Sequence, residues 1–532
     1  MPSSDFAAPA RLRTSRVLLT ATLSGVLALA GTVAFGTPTV GTASGKLGNS
    51  NAAASTDCKP SLFQPPSSLA YADTSWPSEH ADVWRTHAAP TGLPKNLSRT
   101  SQRGTPLKLQ TSVAKLPPVP VWGYVGKGSN VYVVGGAPYL LDMYTELMQG
   151  APASKINLLG ALSKKYATSM TPYIARINTK TMKTTILSLP LGTSANYTGG
   201  ALVHANGFLY TVARSVLYKI NTETFQIVAS KLLPLAPDSS GQPNEQTAYN
   251  GMVATKSGDL IMKGWASTGG GDLPPGILLR IDPTDLSTKT EVVTTAVSSP
   301  RMAIVEENGQ EYLYFPNTTQ SVRFIVGANS FTLDDSWSKT YLAAGSGVTT
   351  ASSDVYLGSG VVFANNTDLT ATAPMSIFAQ GAAATSQLQS TQAFTSNGAA
   401  WNFFMMAADP YKSGVAVMVD QNSGHVAGYL TCGAGESTQK LWENDSIKAS
   451  AGVAINYKAG HLYTDDRQCK GKTCRLFLVV LDLKTGVEIA RTAVKGDKPS
   501  MGQIFIGTNA VYYVASNTRE SNGYVTRVTA SR

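Results

Sequence analysis

Short alternating strands joined in pairs by tight turns recur along most of this chain, and they constrain its fold more than any other feature. One repeated element is an apolar residue, then Asn or Asp, two variable residues and usually Thr or Ser. The Asx side chain can bond to its own backbone two residues on, which shapes a turn between strands. The copies are INTKT at Ile177, INTET at Ile220, IDPTD at Ile281, VDQNS at Val419 and LDLKT at Leu481.

A second element is a hairpin: a strand, a turn of the Asn-Gly or Ser-Gly kind, and another strand. Two hairpins per unit, at intervals of roughly 45 to 60 residues, match the four-stranded blade of a β-propeller. We therefore predict an all-β propeller of eight four-stranded blades, with seven as the alternative. A tandem of β-sandwiches is the other architecture considered. The hairpins begin at Gly123, Gly200, Gly251, Arg301, Asp354, Gly452 and Gly502.

Residues 380–445 leave the blade number open, because WNFFMMAAD (401–409) could be the first or the second strand of its blade. The last unit is short of one strand. It contains GQIFIG, AVYYVAS and GYVTRVTAS, and no fourth strand follows. An unassigned alternating segment, TPLKLQTSVAKLP (105–117), precedes the first hairpin. We predict that it pairs in the last blade and closes the ring, which leaves no open end.

Three domains follow from the composition along the chain. Residues 1–43 hold Arg11, Arg13 and Arg16, the apolar run 17–35 and small residues toward Ala43, a pattern typical of a signal peptide. The apolar run is also long enough to be an uncleaved membrane anchor. Residues 44–104 read as an irregular arm rich in Ser, Pro and Ala, and 105–532 as the propeller. The protein is therefore expected to be secreted or associated with the cell envelope.

The four cysteines suit an exported chain. Cys469 and Cys474 flank a tight loop, so a disulfide across a hairpin is geometrically easy. Cys58 and Cys432 would then pair and tie the arm to the propeller. Four cysteines permit three connectivities, and this is the one we favour.

The net charge of +10 is spread along the chain without a dense basic block. This distribution does not indicate nucleic-acid binding and favours, mildly, an anionic surface such as a cell wall. The expected partners are a small molecule, a polysaccharide or an envelope protein. Membrane contact is expected only through an uncleaved N-terminal segment, and the protein is expected to be a monomer.

Two repeats, TGVEIAR (485–491) and SGHVAGY (423–429), resemble those of quinoprotein-like (PQQ-like) β-propellers. The segment WPSEHADVWRTHAAPTGLP (76–94) is similar to the lead-in before some of those propellers. The resemblance implies the fold far more than an activity. The family's dehydrogenases carry an adjacent cysteine pair and repeated tryptophan motifs that this chain lacks, and no haem-attachment motif is present. No cofactor site is evident, and a PQQ-dependent dehydrogenase is disfavoured.

In such a propeller the connections alternate between two faces, and here one face collects the long ones. They are 136–171, in which apolar residues recur at helical spacing, 236–250, 264–276 and the cysteine loop 465–474. Because long loops concentrate binding, this long-loop face is the predicted site. Candidate ligand-binding residues at the central channel mouth are a rim pair of opposite charge and nearby aromatic or polar residues: Arg301, Asp354, Trp122, Tyr249, Asn250 and Trp265.

The histidines show no metal-ligand spacing. His80 and His87, with Asp82, are expected in a solvated arm, and His204 is expected to be a satisfied core or channel residue. No catalytic residue is assigned. The primary hypothesis is a non-catalytic binding module at the cell envelope. The alternative is a secreted hydrolase, lyase or oxidoreductase at the channel mouth, which convergence of three or more titratable groups there would favour.

Overall fold

The computed structural model describes most of the chain beyond residue 57. The described residues are 58–60, 62–66, 69–97, 107–136, 171–190, 198–238, 240–245, 247–266, 275–294, 301–316, 320–340, 355–358, 361–365, 376–381, 389–394, 406–420, 423–432, 437–450, 452–470, 473–517 and 522–531. Within them every regular element is a β-strand, and no helix is long and apolar enough to cross a membrane. The predicted signal segment and nearly all of the predicted helical insertion at 136–171 lie outside these residues.

The strands run from the inside of each blade outward. In the first half of the chain they are β1 (Ala88–Ala89), β2 (Lys108–Leu116), β3 (Pro120–Val125), β4 (Asn130–Gly135), β5 (Tyr173–Asn178), β6 (Thr184–Ser188), β7 (Thr198–Val203), β8 (Phe208–Ala213), β9 (Val216–Asn221), β10 (Ile227–Leu232), β11 (Thr247–Ala254), β12 (Leu260–Ala266), β13 (Gly276–Ile281), β14 (Thr288–Thr294), β15 (Ala303–Glu307), β16 (Gln310–Pro316), β17 (Gln320–Val326) and β18 (Phe331–Thr340). In the second half they are β19 (Val355–Gly358), β20 (Val361–Asn365), β21 (Ser376–Gly381), β22 (Gln389–Gln392), β23 (Ala407–Asp409), β24 (Val415–Val419), β25 (Val426–Cys432), β26 (Ser437–Asn444), β27 (Ala454–Asn456), β28 (His461–Lys470), β29 (Thr473–Asp482), β30 (Glu488–Val494), β31 (Lys498–Gly507), β32 (Ala510–Asn517) and β33 (Asn522–Ser531).

The described strands form seven hydrogen-bonded sheets in a propeller ring. Seven was the alternative number, and it is the number of continuous sheets. One of these sheets has eight strands, β2-β33-β32-β31-β3-β4-β5-β6, and its two halves meet through a single parallel pair, Trp122 with Gly502. It is thus a double blade, and the ring contains eight four-stranded units within its seven sheets. The ambiguous segment is also settled, because Ala407–Asp409 is the innermost strand of its sheet.

The early strand β2 closes the ring, as predicted. It pairs antiparallel with β33 over its whole length, from Lys108 opposite Ser531 to Leu116 opposite Gly523, and Ser112 lies opposite Arg527. The chain's last unit therefore takes its outermost strand from the segment before the first hairpin. This pairing leaves no unmatched blade at either end of the ring.

Burial follows the position of a strand within its blade. In the sheet β11–β14, the residues of β13 are all buried, whereas the outermost strand β14, TKTEVVT, is alternately exposed. Inner strands lie between neighbouring blades on both faces and read as continuous apolar runs, while outer strands alternate. This difference explains why the outer strands carry most of the polar residues of the repeat.

The turns of the repeat collect on one face of the ring. First-to-second and third-to-fourth turns of one blade touch: Thr179 N donates to Ser129 O at 2.8 Å, and Leu483 N donates to Gly460 O at 2.9 Å. We call this the short-turn face and the opposite one the long-loop face. The copy at Val419–Ser423 differs from the other four, because it joins the second and third strands of its blade.

Both predicted disulfides are present, Cys58–Cys432 and Cys469–Cys474. The first joins the start of the arm to β25, and the second joins register partners of β28 and β29. The four cysteines are thus all oxidised, which is consistent with an exported protein.

Candidate functional site

The axial channel of the propeller is filled by the chain's own residues 69–97, which we call the plug. The plug bonds to the innermost strands of seven of the eight four-stranded units, each strand contributing at least one described bond. Those bonds are Val125 N to Trp76 O (2.8 Å), Val203 N to Pro77 O (2.8 Å), Ala254 N to Tyr71 Oη (3.1 Å), Ile304 N to Val83 O (3.4 Å), Ala408 N to Thr86 O (2.9 Å), Ile455 N to His87 O (2.8 Å) and Ser75 Oγ to Ile506 O (2.7 Å).

The plug lies toward the short-turn face. Val125, Val203 and Ala254 are the last residues of their strands, and first strands end at that face. Strand β1, which belongs to the plug, pairs parallel with β27 and adds a fifth strand to that sheet. The channel is therefore closed from the short-turn side.

Burial of apolar side chains stabilises the plug in addition to its hydrogen bonds. Trp76 and Leu93 are each 1% exposed, and Trp84 is 6% exposed. Full burial of side chains of this size stabilises by about 2 kcal/mol each. The expectation that His80 and His87 lie in a solvated arm was wrong. Both side chains are 1% exposed.

Asp82 fixes the local conformation of the plug. Its carboxylate accepts hydrogen bonds from the backbone N–H of Trp84 (3.0 Å) and Thr86 (3.1 Å) and from the hydroxyls of Thr86 and Tyr411. These bonds hold a backbone that visits the left-handed region at Arg85 (φ 61°) and His87 (φ 54°). Burial raises the pKa of the Asp82 carboxyl, and the bonds from Thr86 and Tyr411 oppose that rise.

Glu79 stands at the centre of a buried charge cluster. Its two carboxylate oxygens accept from Nε and Nη2 of Arg301, both at 3.3 Å, and Arg85 Nη1 lies 3.9 Å away. The Arg301 guanidinium lies over the Trp122 ring, 5.2 Å from its centroid. Because Arg301 precedes β15 at the long-loop end of that strand, its contact with Glu79 lies on the long-loop side of the plug. Gly200 packs against it, since a Cβ there would lie 2.6 Å from the Glu79 carboxyl carbon.

Two neutral imidazoles lie beside this cluster. His87 Nδ1 is 3.1 Å from the carbonyl oxygen of Val453, which can only accept, so His87 carries its proton on Nδ1. His87 Nε2 is then the acceptor in its contact with His80 Nδ1, which carries the proton of His80. His80 Nε2 is left as a buried acceptor with no hydrogen-bond donor among the described residues. Burial lowers the pKa of both imidazoles well below the usual range, and nearby Arg85 lowers it further.

The predicted channel-mouth residues fall into three groups. Trp122 and Arg301 are in contact, and both are buried, at 2% and 8% exposed. Tyr249 and Asn250 are neighbours on β11; Tyr249 is fully buried and its hydroxyl donates to Pro234 O at 2.6 Å, so it has a packing role. Asp354 and the side chain of Trp265 lie outside the described residues. The described acidic partner of Arg301 is Glu79.

His204 is buried as expected. Its Nε2 lies 3.0 Å from Gly258 O, and its Nδ1 accepts from Asn206 N at 3.1 Å. The residues that sequence reasoning missed, Glu79 and Arg85, belong to the arm. A cluster of two tryptophans and two histidines in a segment otherwise rich in Ser and Pro was the signal that could have indicated burial.

Lowering the pH is expected to destabilise the protein through the plug histidines. Unfolded imidazoles bind protons near pH 6.5, whereas folded His80 and His87 stay neutral well below that pH. The unfolded state then binds more protons, so stability is full above about pH 6.5 and falls as the pH falls below it. His461, with a pKa lowered to about 4 by burial, acts in the same direction. Unfolding midpoints between pH 8 and 4.5 test this, and His87→Gln should flatten the decline. An unchanged slope in that variant would count against it.

Structural comparison places the fold among quinoprotein dehydrogenase propellers. The chain is similar to a europium-containing methanol dehydrogenase, with a TM-score of 0.52 and 9% identity over 86% of this chain and 98% of that one. It is also similar to a quinohemoprotein alcohol dehydrogenase from Pseudomonas putida HK5, with a TM-score of 0.51 and 9% identity over 86% of this chain and 80% of that one. No protein-family model and no curated protein sequence matches the chain. At this identity the likeness shows the fold alone, a PQQ-like β-propeller.

The described axial residues do not fit a quinone cofactor. Glu79 and Arg301 are bonded to each other, and Trp122 is covered. The crevice lined by Gly200, Tyr249, Asn250 and Met252 has no room for a water molecule. In the described part of the chain, no three His, Cys, Asp or Glu side chains are grouped so as to hold a metal ion.

Proposed function

We propose that the protein is an exported binding module of the cell envelope, which holds its ligand or partner on the long-loop face. The observation that carries this proposal is the plug. Because the plug closes the channel from the short-turn side and bonds to most inner strands, the axis is a rigid support. The remaining variable surface is the face where long connections collect, which is where rigid scaffolds present binding residues.

Two disulfides support export, because such bonds persist in oxidising compartments. The diffuse net charge of +10 supports attraction to an anionic envelope. The similar dehydrogenases do not decide the function, since one fold hosts many activities.

Insertion of a small soluble domain into one face at a time tests the proposal. One variant carries the domain between Gly270 and Gly271, in the connection of β12 and β13 on the long-loop face. Its matched control carries the same domain between Asn308 and Gly309, in the β15–β16 turn on the short-turn face. Exposed turns tolerate such insertions. We expect the wild-type protein and the control to sediment with isolated envelope, and the long-loop variant to stay in the supernatant. Equal sedimentation of both variants would refute the assignment of the face.

A secreted enzyme is the second candidate, and a specific observation favours it. Five titratable side chains converge on the axis: Glu79, His80, Arg85, His87 and Arg301. They are buried and bonded largely to one another, however, whereas a general acid or base must come within hydrogen-bond reach of its substrate. The accessibility of the His80 side chain to solvent distinguishes the two functions, because an enzyme needs it accessible and a binding module does not.

Diethyl pyrocarbonate modification, mapped by mass spectrometry, measures that accessibility. For a binding module we expect His80 and His87 to resist the reagent in the native protein, while the half-buried His425 reacts. Rapid native-state modification of His80 would instead establish an open site and favour the enzyme.

A further inference from the structure

The β28–β29 hairpin extends beyond the strands that flank it. The two strands pair from His461 with Asp482 as far as Lys470 with Thr473. Strand β27 pairs only with residues 461–463, and the last pair between β29 and β30 joins Leu476 to Val494. Three rows therefore project as a two-stranded ribbon on the long-loop face: Gln468 with Arg475, Cys469 with Cys474, and Lys470 with Thr473.

A disulfide clamps this ribbon at its middle row. Two-stranded hairpins without a third strand are marginally stable in water. The Cys469–Cys474 bond joins direct register partners, whose Cα atoms are 4.0 Å apart. The disulfide restrains the two strands of the ribbon, as hydrogen bonds to flanking strands would do in the rest of the sheet. The ribbon is thus a rigid projection.

The exposed side chains of the ribbon are basic. Residues 467–475, RQCKGKTCR, contain four cations and no acidic residue. Lys470 and Arg475 are exposed. Because Arg475 lies opposite Gln468, and Lys470 is two residues further along the same strand, both point to one face of the ribbon. Lys495, also exposed, follows the Leu476–Val494 pair and adds a third cation at the long-loop end of the same sheet, where its ammonium lies 5.4 Å from the centroid of the Tyr524 ring.

Several cations of the propeller are paired with acidic side chains, whereas no such pair is described for these three. In the same sheet, Arg491 contacts Asp466 at 2.7 Å and is also paired with Glu488. Elsewhere Arg323 lies 2.7 Å from Asp334. Within the described residues, no ion pair involves Lys470, Arg475 or Lys495. Arg475 and Lys495 lie over the rings of Phe477 and Tyr524, contacts that do not neutralise their charges, so these charges remain available to an outside partner.

We propose that Lys470, Arg475 and Lys495 bind a linear anionic polymer of the cell envelope, one that carries repeated carboxylates or phosphodiesters. The proposal rests on the proposed function and names its partner class. The cations stand on an open projection rather than in a pocket, so a single small anion would be held weakly by any one of them. A polymer engages several at once, and multivalency raises its affinity without a formed cavity.

Binding of the full exported chain to immobilised polymers tests the proposal. The probes are polygalacturonate for carboxylates, poly(glycerol phosphate) for phosphodiesters, dextran as a neutral polymer and duplex DNA, a phosphodiester polymer that is not an envelope polymer. The test variant is K470Q/R475Q, and the matched control is K180Q/K183Q. The control removes the same charge from two exposed lysines of the β5–β6 turn on the short-turn face.

We expect wild type and K180Q/K183Q to bind one or both of the first two polymers, and K470Q/R475Q to bind at least about tenfold more weakly. Binding should weaken from 50 to 300 mM NaCl, and dextran should not bind. Equal losses in both variants, or tighter binding to DNA than to either envelope-type polymer, would overturn the proposal. If K470Q/R475Q still sediments with envelope like wild type, the polymer site is refuted and the binding module stands. Failure of wild type to sediment refutes the module itself.

Discussion

Replacing Glu79 by Gln is expected to lower the free energy of unfolding by about 3–5 kcal/mol. The substitution keeps the shape of the side chain but removes the carboxylate that contacts both Arg301 and Arg85. Both guanidinium groups would then keep their charges in a buried site without this carboxylate, and losing one partner of a buried ion pair is far more costly than losing a surface pair.

The matched control is Glu306→Gln. Glu306 pairs with Lys256 at 2.9 Å, and both side chains are about half exposed. Water and salt screen that pair, so the control should leave the urea midpoint almost unchanged. A Glu79→Gln protein as stable as the Glu306→Gln protein would show that the axial cluster does not exist as described.

Removing the Cys58–Cys432 disulfide, by Cys58→Ser with Cys432→Ser, is expected to cost about 4–5 kcal/mol. The bond closes a loop of 374 residues, and a cross-link between distant residues restricts the unfolded chain strongly. It also anchors the start of the chain that leads into the plug. Nearby, Phe63 N donates to Pro410 O at 2.8 Å.

The other disulfide provides the comparison. Cys469 and Cys474 are only 5 residues apart, so Cys469→Ser with Cys474→Ser should cost about 2 kcal/mol. Urea unfolding of the two double variants under identical conditions measures the difference. Equal losses would contradict the view that the first bond ties the arm to the distant ring.

The ring was predictable from sequence because its signals are local. Turn residues at regular spacing and alternating strands marked the blades. The strand that begins at Asn522 lacked a neighbouring fourth strand, and the unassigned segment 105–117 was the candidate to supply it. The blade number was harder, because a single parallel pair between Trp122 and Gly502 merges two four-stranded units into one sheet. Such a contact depends on how closely neighbouring blades approach each other, and the spacing of strands along the sequence does not predict that distance.

The plug was not predictable in the same way. Residues 69–97 have no period, since they bond to one inner strand after another and, apart from the two-residue strand β1, do not run along a partner strand. Their Trp and His residues were a signal of burial, but which groups His80 and His87 contact follows only from the closed ring around them. The predicted rim residue Arg301 lies in the axial cluster, but its partner Glu79 is 222 positions away, in a segment predicted to be solvated.

Hydrogen–deuterium exchange of the backbone amides of residues 70–89, followed in the intact oxidised protein, tests the central claim most directly. If the plug occupies the axis, its peptides should exchange as slowly as those of the inner strands β3 and β27, over hours rather than seconds. Complete exchange of residues 70–89 within seconds, while β3 and β27 remain protected, would contradict the account.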